Sequence, residues 1–178
     1  MNPAMGGDLI GPPQVAALVI LAQRGLEEMF SRRNTRALLA AGAHEAGADY
    51  YPVVAVMHLA WIAALFLLIP SDAPIFWPAA VLYLLLQPVR YWLLASLGRY
   101  WTHRIITLDS LPLVKSGPYR FLNHPNYLET TLEVILGPLA FGAWRLAIVM
   151  GAIQIVVIGY KRRLEDRAIA ARRALPPQ

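Results

Sequence analysis

The chain has 178 residues, 57% of them hydrophobic and 15% charged, against about half and about a quarter in soluble domains, so the composition is that of a membrane protein. It contains no cysteine, which excludes disulfides, thiolate chemistry and Cys-ligated zinc. The net charge of +5 does not call for nucleic acid, because basic loops on a membrane protein are explained by topology and anionic lipid.

Apolar runs predict five helices, at residues 9–23, 52–69, 77–97, 127–141 and 146–159, in an all-α polytopic membrane bundle. The first run has no basic residue ahead of Val15 and no small-residue cleavage site after Leu21, so it is expected to stay as a membrane helix rather than leave as a signal peptide. Residues 24–34 continue in helical spacing, with Arg24, Glu28 and Arg32 one turn apart, which predicts i,i+4 ion pairs on a helix surface. Charge so close to the membrane end of a helix also makes this stretch a site candidate. His58, in the second run, reads first as a packed polar contact.

The last two runs fall near or below the roughly 17 residues that a crossing needs, and Gly137-Pro138 interrupts the first of them. They are expected to form a tight hairpin or an incompletely spanning pair. Basic residues alternate between loops: they occur in 24–51, are absent from 70–76, return in 98–126, and crowd the stretch after residue 159, with only Arg145 in the last turn. That alternation predicts an N-terminus outside and a C-terminus in the cytoplasm, with the 98–126 loop on the cytoplasmic side. The tail after Arg163 reads as a short surface helix ending at Pro176-Pro177. No internal repeat or linker is visible, so residues 1–178 are expected to form one domain.

Polar, aromatic and turn-forming residues crowd into Lys115-Ser-Gly-Pro-Tyr-Arg-Phe-Leu-Asn-His-Pro-Asn-Tyr127. Gly117-Pro118 marks a turn. Pro125 suits the first position of a helix, and His124, pushed out of helical geometry by the following proline, sits at its cap. The free N–H groups of such a start favour an anion such as a carboxylate, while Tyr119 and Tyr127 are equally read as interfacial aromatics. Tyr160-Lys-Arg-Arg-Leu-Glu-Asp-Arg167 is either a basic anchor at a helix end or a place where Glu165 and Asp166 accept hydrogen bonds from a ribose or an amine. Glu133, with Glu129 one turn before it, lies inside the fourth run, where an acid is costly unless it is paired or faces a wet cavity. The four histidines contain no i,i+4 pair, so no metal site is expected.

Gly117-Pro-Tyr-Arg-Phe-Leu-Asn-His-Pro-Asn-Tyr127 together with Arg162-x-x-Glu165-Asp166 resembles the isoprenylcysteine carboxyl methyltransferase family and its phospholipid methyltransferase relatives. Arg24-x-x-Glu27, Ser31-Arg-Arg-Asn34, Gly42-Ala-x-Glu45, Tyr51-Pro52 and His58 look like its bacterial branch associated with type III polyketide synthases, whose members O-methylate alkylpyrones or alkylresorcinols. The resemblance implies an inner-membrane methyltransferase that uses S-adenosylmethionine and a lipophilic acceptor drawn from the bilayer. Gly117, Tyr119, His124, Pro125, Tyr127, Glu165 and Asp166 would form the cofactor pocket, and Arg24, Glu27, Asn34 and His58 would meet the substrate. Asn123 stands where the family has an arginine, which favours a phenol or enol over a prenylcysteine acid. Asp166 stands where a second glutamate is usual, keeping the charge with a shorter reach. A phenol would benefit from a base, with Glu133 and His124 as candidates. The alternatives are a phospholipid N-methyltransferase, an NADPH-dependent membrane reductase and a non-enzymatic membrane scaffold.

Overall fold

The computed structural model describes residues 9–108 and 113–170, and five α-helices occur among them: α1 Pro12–Ala40, α2 Tyr51–Leu68, α3 Trp77–Leu97, α4 Pro125–Leu139 and α5 Trp144–Ala168. Each of the four helices α1 to α4 carries proline at its first or second position, where the missing N–H is no loss. The protein is an all-α membrane bundle. Ala48–Leu68, Trp77–Tyr100 and Trp144–Ala168 are long and apolar enough to cross a membrane. Leu67, Leu68, Leu84, Ile148 and Val156 are exposed on them. Burying such a side chain is worth about 1.5–3 kcal/mol, so a surface of this kind belongs in lipid.

The last two helices form the tight hairpin expected, joined through residues 140–143, but α5 is longer than its apolar run predicts. α5 is 25 residues long and runs on past Gly159 through the charged stretch to Ala168, because Lys161, Glu165 and their neighbours find partners at the bundle end and do not stop the helix. α4 has 15 residues, about 22 Å at 1.5 Å per residue, which is short of a roughly 30 Å hydrocarbon core. α1 likewise continues beyond the apolar run to Ala40. The tail beyond residue 170, where a separate surface helix was expected to end, lies outside the described residues. A short antiparallel ribbon was not expected: β1 (His44–Ala46) pairs with β2 (Ile105–Thr107), His44 opposite Thr107. Its edges give the two long loops backbone partners that no helix provides.

The chain gathers its loops at two ends. At one, Gln14 on α1 donates to the carbonyls of Phe66 and Ile69 at 3.0 and 2.9 Å, and the Phe76 N–H reaches Ala140 O at 2.8 Å. At the other lie the end of α1, the start of α2, the ribbon, the start of α4 and the end of α5. Tyr50 OH donates to Val157 O at 2.5 Å, Asn34 donates to Trp101 O at 2.8 Å, and Lys161 Nζ donates to His103 O at 2.8 Å. Between the ends, Trp61, Leu65, Val134, Ile20 and Met150 form the core. Gly137 brings α4 so close to α2 that a Cβ there would lie 2.8 Å from the Trp61 ring, the close approach that small residues permit between membrane helices.

Candidate functional site

α4 begins at Pro125 with His124 as its cap residue, the arrangement the proline predicts. That geometry turns the imidazole towards the end of α5. His124 Nε2 lies 3.0 Å from Asp166 Oδ1 and Nδ1 lies 3.4 Å from Glu165 Oε2, while the Tyr127 hydroxyl donates to Glu165. The His124 and Tyr127 rings stack at 5.2 Å with 4° between their planes. Glu165, opposed by burial and assisted by Asp166, raises the His124 pKa above its ordinary value.

This cluster forms one wall of a cavity of about 170 Å³ at the loop end of the bundle. Tyr119, Asn123, Asn126, Lys115 and Arg104 give it a polar lining, and Trp101 and Ile106 give it an apolar side. The Tyr119 hydroxyl and Asn126 Oδ1 are buried with no hydrogen-bond partner among the described residues. Burial raises the Tyr119 pKa, so the hydroxyl keeps its proton and can donate.

A second cavity, of about 320 Å³, opens between α1, α2 and α5. Its lining surface is mainly apolar, from Leu21, Val54, Leu59, Ile62 and Ile158, with Arg24, Glu28, His58, Arg90 and His103 among its polar groups. Trp101, Asn126, Tyr127 and Lys161 line both cavities. The polar and apolar spaces therefore share one wall.

Below them, a charged layer fastens α1, α3 and α4. Arg90 spans Glu27 with Nε and Nη2, both at 2.5 Å, and reaches Glu129 and Glu133 with Nη1 at 2.9 and 3.1 Å. Arg24 donates to Glu27 at 2.8 Å and to Glu133, and Gln87 donates to Glu133 at 2.9 Å. Two guanidinium groups thus face three carboxyl groups out of water.

The structure brings together Tyr119, Asn123, His124, Tyr127 and Glu165 around the polar cavity, with Asp166 behind His124. Pro125 is buried as the first residue of α4. Gly117 packs against α3, where a Cβ would meet Ser96 Oγ at 2.2 Å, and is not among the cavity-lining residues. Arg24 and His58 line the apolar cavity, whereas Glu27 belongs to the charged layer and Asn34 ties the Gly98–Trp101 backbone to α1. Glu133 reaches neither cavity: both its oxygens are taken by Arg24, Arg90 and Gln87. Asn123 lines the polar cavity and not the apolar one, so its replacement of arginine bears on the polar side. The expected Arg24 to Glu28 pair does not form, because Arg24 turns inward to Glu27 and Glu133, while Glu28 does pair with Arg32 Nε at 2.6 Å.

Sequence reasoning missed Arg90, Asn126, Lys161 and His103. Arg90 had a legible signal, a full charge inside an apolar run, which in a membrane helix needs a buried partner. His103 had none, since its partner Glu28 is 75 residues away.

The Isoprenylcysteine carboxyl methyltransferase (ICMT) family model matches residues 79–171, which hold α3, the loop with the histidine-proline turn, α4 and α5. Over 155 residues the chain is 34% identical to the uncharacterized protein YpbQ of Bacillus subtilis (strain 168), an alignment that covers 85% of this chain and 92% of that protein. No solved structure matches. With three helices fit to cross a membrane, an apolar cavity suited to a lipophilic substrate and a family match over the helices that build the polar cavity, the chain belongs to the isoprenylcysteine carboxyl methyltransferase family and is an integral membrane methyltransferase.

Proposed function

We propose that the protein, as one catalytic unit, transfers a methyl group from S-adenosylmethionine to an oxygen of a lipophilic acceptor, a hydroxylated ring with an alkyl tail such as an alkylpyrone or alkylresorcinol. The observation that carries this reading is the shared wall: Asn126 and Tyr127 separate a polar cavity at the loop end from an apolar cavity among the helices. Methyl transfer needs that arrangement. A charged, water-soluble donor and a greasy acceptor must enter from different solvents and meet at one point, with water kept out.

The polar cavity suits the donor. The Tyr119 hydroxyl and Asn126 Oδ1, unpartnered among the described residues, offer a hydrogen-bond donor and an acceptor to its polar groups. Glu165, held by Tyr127 and His124, suits an amino group or a ribose. Arg104 and Lys115 suit its carboxylate, and Trp101 with Ile106 suits its base. When bound, S-adenosylmethionine supplies an electrophilic methyl carbon on a sulfonium. Arg24 and His58 would orient the acceptor's ring, while Glu27, Glu133 and Asn34 hold the helices and loop that frame it. The basic residues gathered at the cavity end support placing that end in the cytoplasm of a bacterial inner-membrane protein, where the donor is found.

Calorimetry on detergent-purified protein tests the donor. Wild type is expected to bind S-adenosylmethionine and not NADPH, and Glu165→Gln or His124→Ala to weaken binding at least tenfold. Binding of NADPH alone, or unchanged donor affinity in both variants, would overturn the assignment.

A further inference from the structure

Two histidines on different elements face the apolar cavity: His58 on α2 and His103 in the loop ahead of β2. Each has Nδ1 committed to a group that can only accept. His58 Nδ1 lies 2.9 Å from Val54 O of its own helix, and His103 Nδ1 lies 2.8 Å from Glu28 Oε2. Nδ1 must therefore carry the proton in the neutral ring, which leaves the Nε2 lone pair as the free basic site. The two differ in what orients them. A carbonyl four residues back is the ordinary partner of a histidine inside a helix, whereas a carboxylate on Nδ1 is the arrangement that lets an imidazole accept a proton and stay in place.

His103 is held from every side. Its N–H donates to Ser31 Oγ at 2.8 Å, its carbonyl accepts from Lys161 Nζ at 2.8 Å, and its ring meets the Trp101 ring edge-on at 4.7 Å. Glu28 in turn is fixed by Arg32 Nε at 2.6 Å and by the Tyr51 hydroxyl. A loop residue with this many restraints has one orientation, and both members of the pair line the apolar cavity. The charged and titratable groups that line the cavity with it are Glu28, Arg24 and Arg32 from α1, Tyr51 and His58 from α2, Arg90 from α3, Tyr127 from α4 and Lys161 from α5. Burial, opposed by Glu28, lowers the His103 pKa, so the ring is a neutral base at neutral pH.

We propose that His103, oriented by Glu28, is the general base that removes the proton from the acceptor's hydroxyl, and that the acceptor class is accordingly a neutral phenol-type hydroxyl and not a carboxylate. This rests on the apolar cavity being the acceptor site of the methyltransferase. The O–H bond breaks, its proton moves to His103 Nε2 and its electron pair stays on oxygen. The oxygen forms the new bond to the methyl carbon as the carbon–sulfur bond breaks and leaves its pair on sulfur. The products are an aryl ether, a thioether and one proton, which His103 returns to water through the loop end. A carboxylate, already ionised at neutral pH, needs no such base.

The test uses the full chain in detergent with alkyl-tailed phenols of increasing acidity, from unsubstituted to nitro-substituted, beside a prenylcysteine acid. His103→Gln is expected to lower kcat for the unsubstituted phenol by about 10²–10⁴-fold, the usual worth of a general base, with the loss vanishing for the nitrophenol, which is ionised without help. Glu28→Gln should move the alkaline-going limb of the pH–rate profile and lower the His103 pKa read by ¹⁵N-histidine resonance on protein without donor, with calorimetric donor affinity unchanged in both variants. An equal loss along the phenol series, an unmoved histidine titration, or turnover of the carboxylic acid alone would overturn the base while donor binding persisted. Absence of donor binding in wild type would overturn this inference together with the methyl-donor assignment.

Discussion

His124 stands between Asp166 and Glu165, and this makes the polar cavity respond to pH. Its pKa is raised in the folded protein, so the native state holds the proton more tightly than the unfolded chain does. The contribution to stability is complete below about pH 6.5, the ordinary histidine value, and is lost as pH rises through the raised one. The thermal midpoint of the wild type in detergent should therefore fall relative to that of His124→Gln as pH is taken upward through that window, and parallel curves for the two proteins would refute the coupling. The histidine-proline turn was legible in the sequence because proline constrains its neighbours locally: the cap at His124 and the first helical turn at Pro125 follow from covalent geometry. The partner carboxylates were read only as candidates, since nothing local says that a residue 42 positions later returns to the same ring.

At the scale of elements, Arg90 is the tie between α1, α3 and α4, and its side chain is 3% exposed. Replacing Arg90 with leucine would leave Glu27, Glu129 and Glu133 facing Arg24 alone. Loss of one partner from a buried ion network costs about 3–5 kcal/mol, so Arg90→Leu should unfold at markedly lower temperature or detergent challenge, and an unchanged midpoint would show that the layer contributes little. Glu133 illustrates the limit of reading an element alone. Its depth in an apolar run shows that it needs company, but two arginines and a glutamine from two other helices decide that the company is an ion network and not a cavity. α5 shows the same limit from the other side: its apolar run ends at Gly159, yet the helix continues to Ala168 because Lys161 and Glu165 are partnered by loop and turn.

For the whole molecule, the cavities and most of the described basic residues gather at one end of the bundle, and the positive-inside rule predicts that this end faces the cytoplasm, as proposed above. Because the chain has no cysteine, a single introduced thiol reports its own side. In intact cells, Asp72→Cys, in the turn between α2 and α3, should react with an impermeant maleimide, and Arg36→Cys, near the C-terminal end of α1, should react only after lysis. The reverse pattern would invert the topology and separate the polar cavity from a cytoplasmic donor. The sequence by itself determined the membrane class, the helical bundle and the family, because composition, apolar run length and a turn bounded by proline are properties of neighbouring residues. Only the tertiary structure decided that Arg24 faces inward, that His103 meets Glu28 and that the polar and apolar cavities share a wall at Asn126 and Tyr127. Those pairings join residues tens of positions apart, and packing of the helices against one another, not any local preference, selects them.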